Sequence, residues 1–463
     1  MFLAYCQNGL MSEADPAAGV ATRALEQQRL RTEASAYAGS VADFIRPRGP
    51  DLLGRTNKYY EWASARRAAG NYPFFRSLDS APLKIARVRD QSGREYEGLN
   101  VGSQDYLGLA AHPAVRDAAI AALREYGPHS AGAGAMGGIT RVSEDLESAI
   151  GDFLNREHIQ LFPSGWAAGY GTIAALVRPY DYIVMDNLAH NCLQQGARAA
   201  TPNIITHAHI DVDAAREAIE DIRHRDARAA ILVVTEGLFS MDSDSPRISL
   251  LVDACRNFGA TLLVDVAHDL GELGPGGTGM LGTQGVLDDV DLIMGAFSKT
   301  FASNGGFLAS RSEAVKDYVR TFGAPGVFSN ALSAPQAAAA LEALRIVRSQ
   351  EGDLLRERLL EASVSLRGAL ADLGFECLGM PSAIVPVPVG AEAVARLAAR
   401  LLAERGIITN LVEFPAVAIG ASRFRLQLQS VLTAADCQRA AAIIASAISD
   451  ARRALDELGG DEP

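Results

Sequence analysis

From about residue 110 to residue 300 the chain alternates helix-patterned stretches with short runs that are almost wholly apolar. In SEDLESAIGDFLN, Leu146, Ile150, Phe153 and Leu154 fall on one helical face. YIVMD (182–186), AAILVVTEG (229–237), TLLVDVAH (261–268) and DLIMGAF (291–297) are short and rich in β-branched residues, as strands buried on both faces are. Between them DVDAAREAIEDIRH and RISLLVDACRNFG read as helices, the second stopped by Gly259. Such alternation predicts an α/β sheet covered by helices. A helical region rich in Ala and Leu follows over 333–372. Then come SAIVPVPVG, a helix around 391–405, IITNLV, RFRLQLQS and a closing helix at 433–457, which read as an α+β unit. Residues 1–75 are charged, Ala-rich and irregular, with a candidate helix in ALEQQRLRTEASAYAGSVADFI and a loop in RPRGPDLLGR. The expected division is an N-terminal extension (1–75), a large α/β domain (76–335) whose first segment joins the small domain, and a small C-terminal domain (336–463).

Composition narrows the function. The 463 residues are 48% hydrophobic, enough for a sizeable core, and carry a formal net charge of −12. That acidity gives no electrostatic footprint for nucleic acid or an anionic membrane. No run is long and apolar enough to span a bilayer, and the first residues lack a basic signal-peptide start, so a cytoplasmic protein is expected. The five cysteines are scattered without a C-x-x-C pair, which suggests neither a disulfide framework nor a metal site. Cys192, two residues from His190, resembles a nucleophile beside its base, but a buried structural thiol is the simpler reading.

The candidate chemistry sits at the strand ends, where parallel sheets bind ligands. One run ends in Asp186 and leads to His190. The next leads to Ser240, the third to Asp265 and His268, the fourth to Ser298 and Lys299. Asp265 closes an otherwise apolar strand, a costly place for a carboxylate unless a cation meets it. Taken singly, Lys299 would be an ordinary surface lysine, Asp265 a helix cap and each histidine structural. Their order along successive strands argues otherwise. A lysine, a carboxylate for a ring nitrogen, a flat group for a ring face and donors for a phosphate are what pyridoxal phosphate requires. FPSGWAAGYGT (162–172) supplies small residues at a helix start, suited to an anion. It lacks the GK[ST] of a P-loop and the dinucleotide fingerprint.

SQDYLGLAAHP, FPSGWAAGYG, DNLAHNCLQQGA, TEGLFSMDSD, LLVDVAHDLGELGPGGTG, GAFSKTFASNGGF, GVFSNALSAP and RFRLQL, in this order over about 73–450, resemble the α-oxoamine synthases, a branch of the fold-type-I pyridoxal-phosphate enzymes. The resemblance implies a large domain on a mainly parallel seven-stranded sheet and a smaller α+β C-terminal domain. It implies that Lys299 is the Schiff-base lysine and moves the Cα proton, and that Asp265 partners the ring nitrogen. His268 would hydrogen-bond the ring hydroxyl, His190 would stack on the ring, and Ser240 would lie near the hydroxyl. Ser164, Gly165 and Trp166 would bind the phosphate, with Ser298 beside them. Ser329 would reach the phosphate of a neighbouring subunit in a homodimer with shared sites. Arg425 would grip the amino acid carboxylate, with Gln104 where the family has asparagine. The implied reaction is a decarboxylative condensation of an α-amino acid with an acyl thioester, on coenzyme A or a carrier protein.

The sequence departs from the family pattern at several positions. Val266 and Asp269 alter the motif around Asp265 and His268, and Ala296 replaces a threonine before Phe297-Ser298-Lys299. Gly134 and Ser143 stand where arginine and histidine are common, and Val431-Leu432-Thr433 replaces A-H-T. These changes leave the cofactor residues in place and alter the substrate surroundings. The alternatives are another fold-type-I activity, an aminotransferase or lyase, and a catalytically inactive partner subunit, against which Lys299 counts.

Overall fold

The computed structural model describes residues 36–459. After the helix Asn57–Ala69 come three short strands: β1 (Ser77–Leu78), β2 (Ile85–Arg89) and β3 (Glu95–Asn100). The seven-stranded sheet follows, built from β4 (His158–Phe162), β5 (Tyr182–Asp186), β6 (Ile204–His207), β7 (Ile231–Glu236), β8 (Thr261–Asp265), β9 (Leu292–Ala296) and β10 (Gly306–Ser310). Its order is β4-β10-β9-β8-β7-β5-β6. The five strands β5 to β9 run parallel, and β10 lies antiparallel to both β4 and β9. This is the mainly parallel sheet that the resemblance implied. The four apolar runs read from the sequence are its adjacent strands β5, β7, β8 and β9. β6 and β10 went unread, being a short partly exposed edge and a glycine-led strand after the lysine turn.

Each parallel strand splits its side chains between two cores because successive residues point to opposite faces. On β7, Val233 joins Val184, Val264 and Ile293 against helices carrying Ile219 and Leu251. Leu232 and Val234 face the other way, with Met185, Leu263 and Met294, onto Ile173, Leu193 and Ala197. Helix ends follow local chemistry. Thr140 Oγ1 caps Arg141–Leu154 by accepting from Ser143 N–H, and Gly259, at φ 64°, ends Ile248–Phe258. The Ala- and Leu-rich region is two helices, Ala334–Val347 and Gln350–Asp372, broken where Ser349 caps the second.

The C-terminal unit holds β11 (Ile384–Gly390), β12 (Ile407–Ile408), β13 (Asn410–Val412) and β14 (Ser422–Gln427). β14 lies between β11 and β13, which makes β11 an edge strand and accommodates Pro386 and Pro388. β12 pairs in parallel with β3, so the segment ahead of the large sheet belongs structurally with the chain's end. A Cβ on Gly98 would lie 2.3 Å from the Gly406 backbone, so this approach needs glycine. Of the substituted motif 431–433, Leu432 is core and Thr433 caps the last helix through Asp436.

The candidate helix in 24–45 lies largely outside the described residues. The part that is described does more than trail. Tyr37 is buried, and the helix Asn57–Ala69 packs Arg66 over the Trp62 ring, 3.5 Å from its centroid. Arg396 Nη1 donates to Gly39 O at 2.9 Å, while its Nε and Nη2 donate to the two Glu413 oxygens at 3.0 and 3.2 Å. Glu413 is thus the nearby acid for two buried guanidiniums, and it also contributes to the electrostatics of Arg66. Glu413→Gln is therefore expected to lower the apparent unfolding free energy by roughly 3 kcal/mol, because an uncompensated buried cation remains. Chemical denaturation measures this. A midpoint unchanged from the native chain would show that the arginines are not held by the acid.

Candidate active site

The carboxyl ends of β5, β7, β8 and β9 open into one cavity of about 480 Å³. Ser164, Gly165, Trp166, His190, Ser240, Asp265, His268, Ser298, Lys299, Gln104 and Arg425 all line it. They come from six segments, after β3, β4, β5, β7, β8 and β9, and from the C-terminal unit, where β14 carries Arg425 in from the far side.

Lys299 follows β9 on a turn closed by Ala302 N–H donating to the Lys299 carbonyl at 3.0 Å. Its ammonium makes no salt bridge among the described residues. Burial lowers its pKa from the ordinary value, against the pull of Asp265 and Glu236. A lowered lysine pKa leaves more free amine, the form that attacks a carbonyl or takes a proton. Asp265 ends β8, and its Oδ1 accepts from Ala267 N–H at 2.9 Å. Burial pushes its pKa up, while His190 and Lys299 oppose that. A carboxylate so enclosed calls for a further cation, and a protonated ring nitrogen is one.

His190 caps the helix Asn191–Ala200: its Nδ1 accepts from Cys192 N–H at 3.3 Å, which leaves the ring proton on Nε2. Burial lowers its pKa. Cys192 Sγ is 3.0 Å away, but burial pushes that thiol up and its side chain lies in the core, so it is a packed structural thiol. His268 is enclosed, and burial holds it well below the ordinary histidine value. Tyr106 Oη lies 2.8 Å from His268 Nδ1 and accepts from Gln427 Nε2–H at 3.3 Å. That arrangement leaves the hydroxyl proton for Nδ1 and puts the imidazole proton on Nε2.

At the far wall Ser164 caps the helix Gly165–Leu176, its Oγ accepting from Ala167 N–H at 3.1 Å. The first N–H groups of this helix are positioned to receive an anion. A Cβ on Gly165 would meet Ala296 Cβ at 2.4 Å, and one on Gly306 would meet Gly165 Cα at 2.6 Å. Ala296, replacing threonine, thus lies directly under the helix start. Trp166 stacks on Tyr170, 5.1 Å between centroids, with nearly half its surface exposed. The residues therefore fit pyridoxal phosphate: an amine, an enclosed carboxylate, a flat imidazole and a glycine-lined helix start around one space.

Arg423 and Arg425 share a face of β14 yet meet different fates. Arg423 pairs with Asp242 and also donates to Met241 O at 3.2 Å. Arg425 meets no carboxylate among the described residues, its Nε is enclosed without a partner, and its Nη1 lies 3.9 Å from Met241 Sδ. A guanidinium in this state suits a carboxylate ligand. Ser329 is not brought into this cavity: it donates to Pro325 O, next to Phe328, which is 88% exposed.

Two residues escaped the sequence reading. Glu236 ends β7 in register with Asp265, is buried, and accepts from His190 N–H at 2.6 Å. Burial, and then Asp265, raise its pKa well above the ordinary value. The reasoning applied to Asp265, a carboxylate ending an apolar strand, would have found it. Tyr106 had no such signal, since its role appears only when His268 and Gln427 converge on it.

The sequence matches the family described as aminotransferase class I and II over residues 96–444. It is 35% identical over 379 residues to 8-amino-7-oxononanoate synthase of Geotalea daltonii, covering 82% of this chain and 94% of that protein. It is 31% identical over 368 residues to serine palmitoyltransferase of Bacteriovorax stolpii, covering 80% and 85%. Among solved structures, Sphingomonas wittichii serine palmitoyltransferase superposes with a TM-score of 0.80 at 27% identity, over 87% of this chain and 99% of that one. A serine palmitoyltransferase solved with pyridoxal phosphate gives 0.81 at 26% identity, with the same coverage.

Proposed function

This chain belongs to the α-oxoamine synthases within the class I and II aminotransferase family, and from that premise we propose a pyridoxal-phosphate-dependent, decarboxylative condensation of an α-amino acid with an acyl thioester, giving an α-amino ketone, carbon dioxide and free thiol. The observation that carries it is the convergence of an unpaired Arg425 and Lys299 on one cavity.

When bound, pyridoxal phosphate supplies an electron sink for the carbanion made at the amino acid Cα. The chain's residues do the rest. The N-terminus of Gly165–Leu176, with Ser164 and Ser298, would hold the phosphate. Asp265 would hold a proton at the ring nitrogen, His268 Nε2–H would donate to the ring hydroxyl with Ser240 nearby, and His190 would cover the ring. Arg425 and Gln104 hold the substrate carboxylate, which sets the Cα bond that breaks. Lys299, once its amine is free, takes the Cα proton as general base and later returns one. The proposed condensation would join Cα to the thioester carbonyl carbon with departure of thiolate, and carbon dioxide would leave from the carboxylate that Arg425 and Gln104 hold. Ser329, which does not line its own cavity and lies beside the exposed Phe328, would serve a second copy of the chain in a homodimer.

The test is thioester-dependent release of carbon dioxide and free thiol, after an amino acid has shifted the visible spectrum. Conversion of the amino acid to its keto acid without thioester would favour an aminotransferase. A chain that takes up no cofactor would favour the inactive-subunit reading. Arg425→Met is expected to raise the amino acid concentration for half-maximal spectral change about 30-fold, the loss of roughly 2 kcal/mol of charged hydrogen bonding. An unchanged titration would remove Arg425 from the carboxylate site.

A further inference from the structure

Three loops at the carboxyl edge of the sheet meet at a side chain that does not line the cavity. His209 follows β6. Its Nδ1 lies 3.0 and 3.1 Å from the two Asp186 oxygens, and its Nε2 lies 3.1 Å from both Asp244 oxygens. An ionised carboxylate only accepts, so both ring nitrogens donate and the ring is an imidazolium between two anions. Phe239 packs edge-on, 4.6 Å between centroids. Burial works against this charge, but the hydrogen bonds to Asp186 and Asp244 outweigh it and raise the His209 pKa to about 10.

Each aspartate also shapes a loop of the cavity. Asp186 accepts from Leu188 N–H at 2.8 Å and Ile210 N–H at 2.7 Å, ordering the turn that presents His190. Asp244 closes the loop after β7: Phe239 N–H donates to its carbonyl at 2.8 Å, and Ser243 N–H donates to Phe239 O at 2.9 Å. That loop carries Ser240 and Met241 into the cavity and Asp242 to Arg423.

We propose that His209 is a positioning residue: clamped between Asp186 and Asp244, it sets the spacing of the His190 turn from the Ser240–Met241 loop, and through it the fit of cofactor and amino acid. The inference rests on reading the cavity as the cofactor site, and not on the condensation. It places a fixed charge about one loop away from the reacting atoms, where a neutral side chain of equal size would leave two facing carboxylates to repel.

Two measurements test it. In the native, cofactor-loaded protein, ¹⁵N spectra of labelled histidine are expected to show both His209 ring nitrogens protonated at pH 8. A neutral ring there overturns the clamp, and this needs no variant that folds. In cofactor-stripped protein, Asp244→Leu is expected to weaken pyridoxal phosphate binding about tenfold and to raise amino acid half-saturation by a similar factor, while Asp244→Asn, which keeps an acceptor, stays within about threefold. A purely structural role would lower the melting temperature and leave both affinities of the folded fraction as in the native chain, which would overturn the proposal. Failure of thioester-dependent carbon dioxide release in the native protein would strike the activity reading and leave the clamp standing.

Discussion

Lys299→Ala is expected to abolish turnover, with the residual rate down by about 10³-fold or more, since a positioned general base contributes roughly 10²–10⁴. The effect is large because, among the described residues, no other amine lines the cavity. The other basic groups there are a guanidinium, Arg425, and two imidazoles, His190 and His268, which are weaker bases than an alkyl amine and cannot form its Schiff base. Alanine fits at this position, because the turn is held by the Lys299 carbonyl and the side chain makes no salt bridge among the described residues. The variant should fold, still bind pyridoxal phosphate through the helix start and Asp265, and yet no longer be fixed to it by borohydride. Turnover at the native rate would sink the whole assignment. Loss of turnover with borohydride fixation intact would place the reactive amine elsewhere.

Asp265→Asn is expected to produce the second largest effect, a fall in kcat of about 10²–10³, the range for removing one preorganised electrostatic contact. Asparagine has the same shape and can still accept from Ala267 N–H, so the end of β8 should keep its form. What disappears is the negative charge proposed to keep a ring nitrogen protonated. The cofactor-free protein separates this role from a structural one. Asp265 is a buried acid lifted by its surroundings and paired there only loosely, so neutralising it should leave stability to denaturant unchanged or slightly raised. A cofactor-free variant that unfolds more readily, with kcat preserved, would make Asp265 a structural cap.

Much of this was legible in the chain before it was folded. Four apolar runs identified four neighbouring strands, because a strand buried on both faces can carry little else. The polar residues ending those runs were then bound to meet at one edge, since parallel strands share a direction. Lys299, Asp265, His268 and His190 come together for that reason alone. Glu236 obeys the same rule and could have been read with them.

The fates of Arg423 and Arg425, of Glu413 and of His209 were settled only in three dimensions. The two arginines sit two residues apart on one strand, and the sequence offers no physical ground for telling them apart. Asp242, 181 positions before Arg423, neutralises one and leaves the other for a ligand. His209 is an unremarkable residue in THAHID until two aspartates from other loops close on its two nitrogens. Residues 36–69 look like a loose extension until Arg66 and Arg396 find Trp62 and Glu413. Local pattern fixes which way a side chain points, because backbone geometry repeats every few residues. Charge state and pairing depend on partners scores of positions away, and those are brought close only when the sheet and its helices pack.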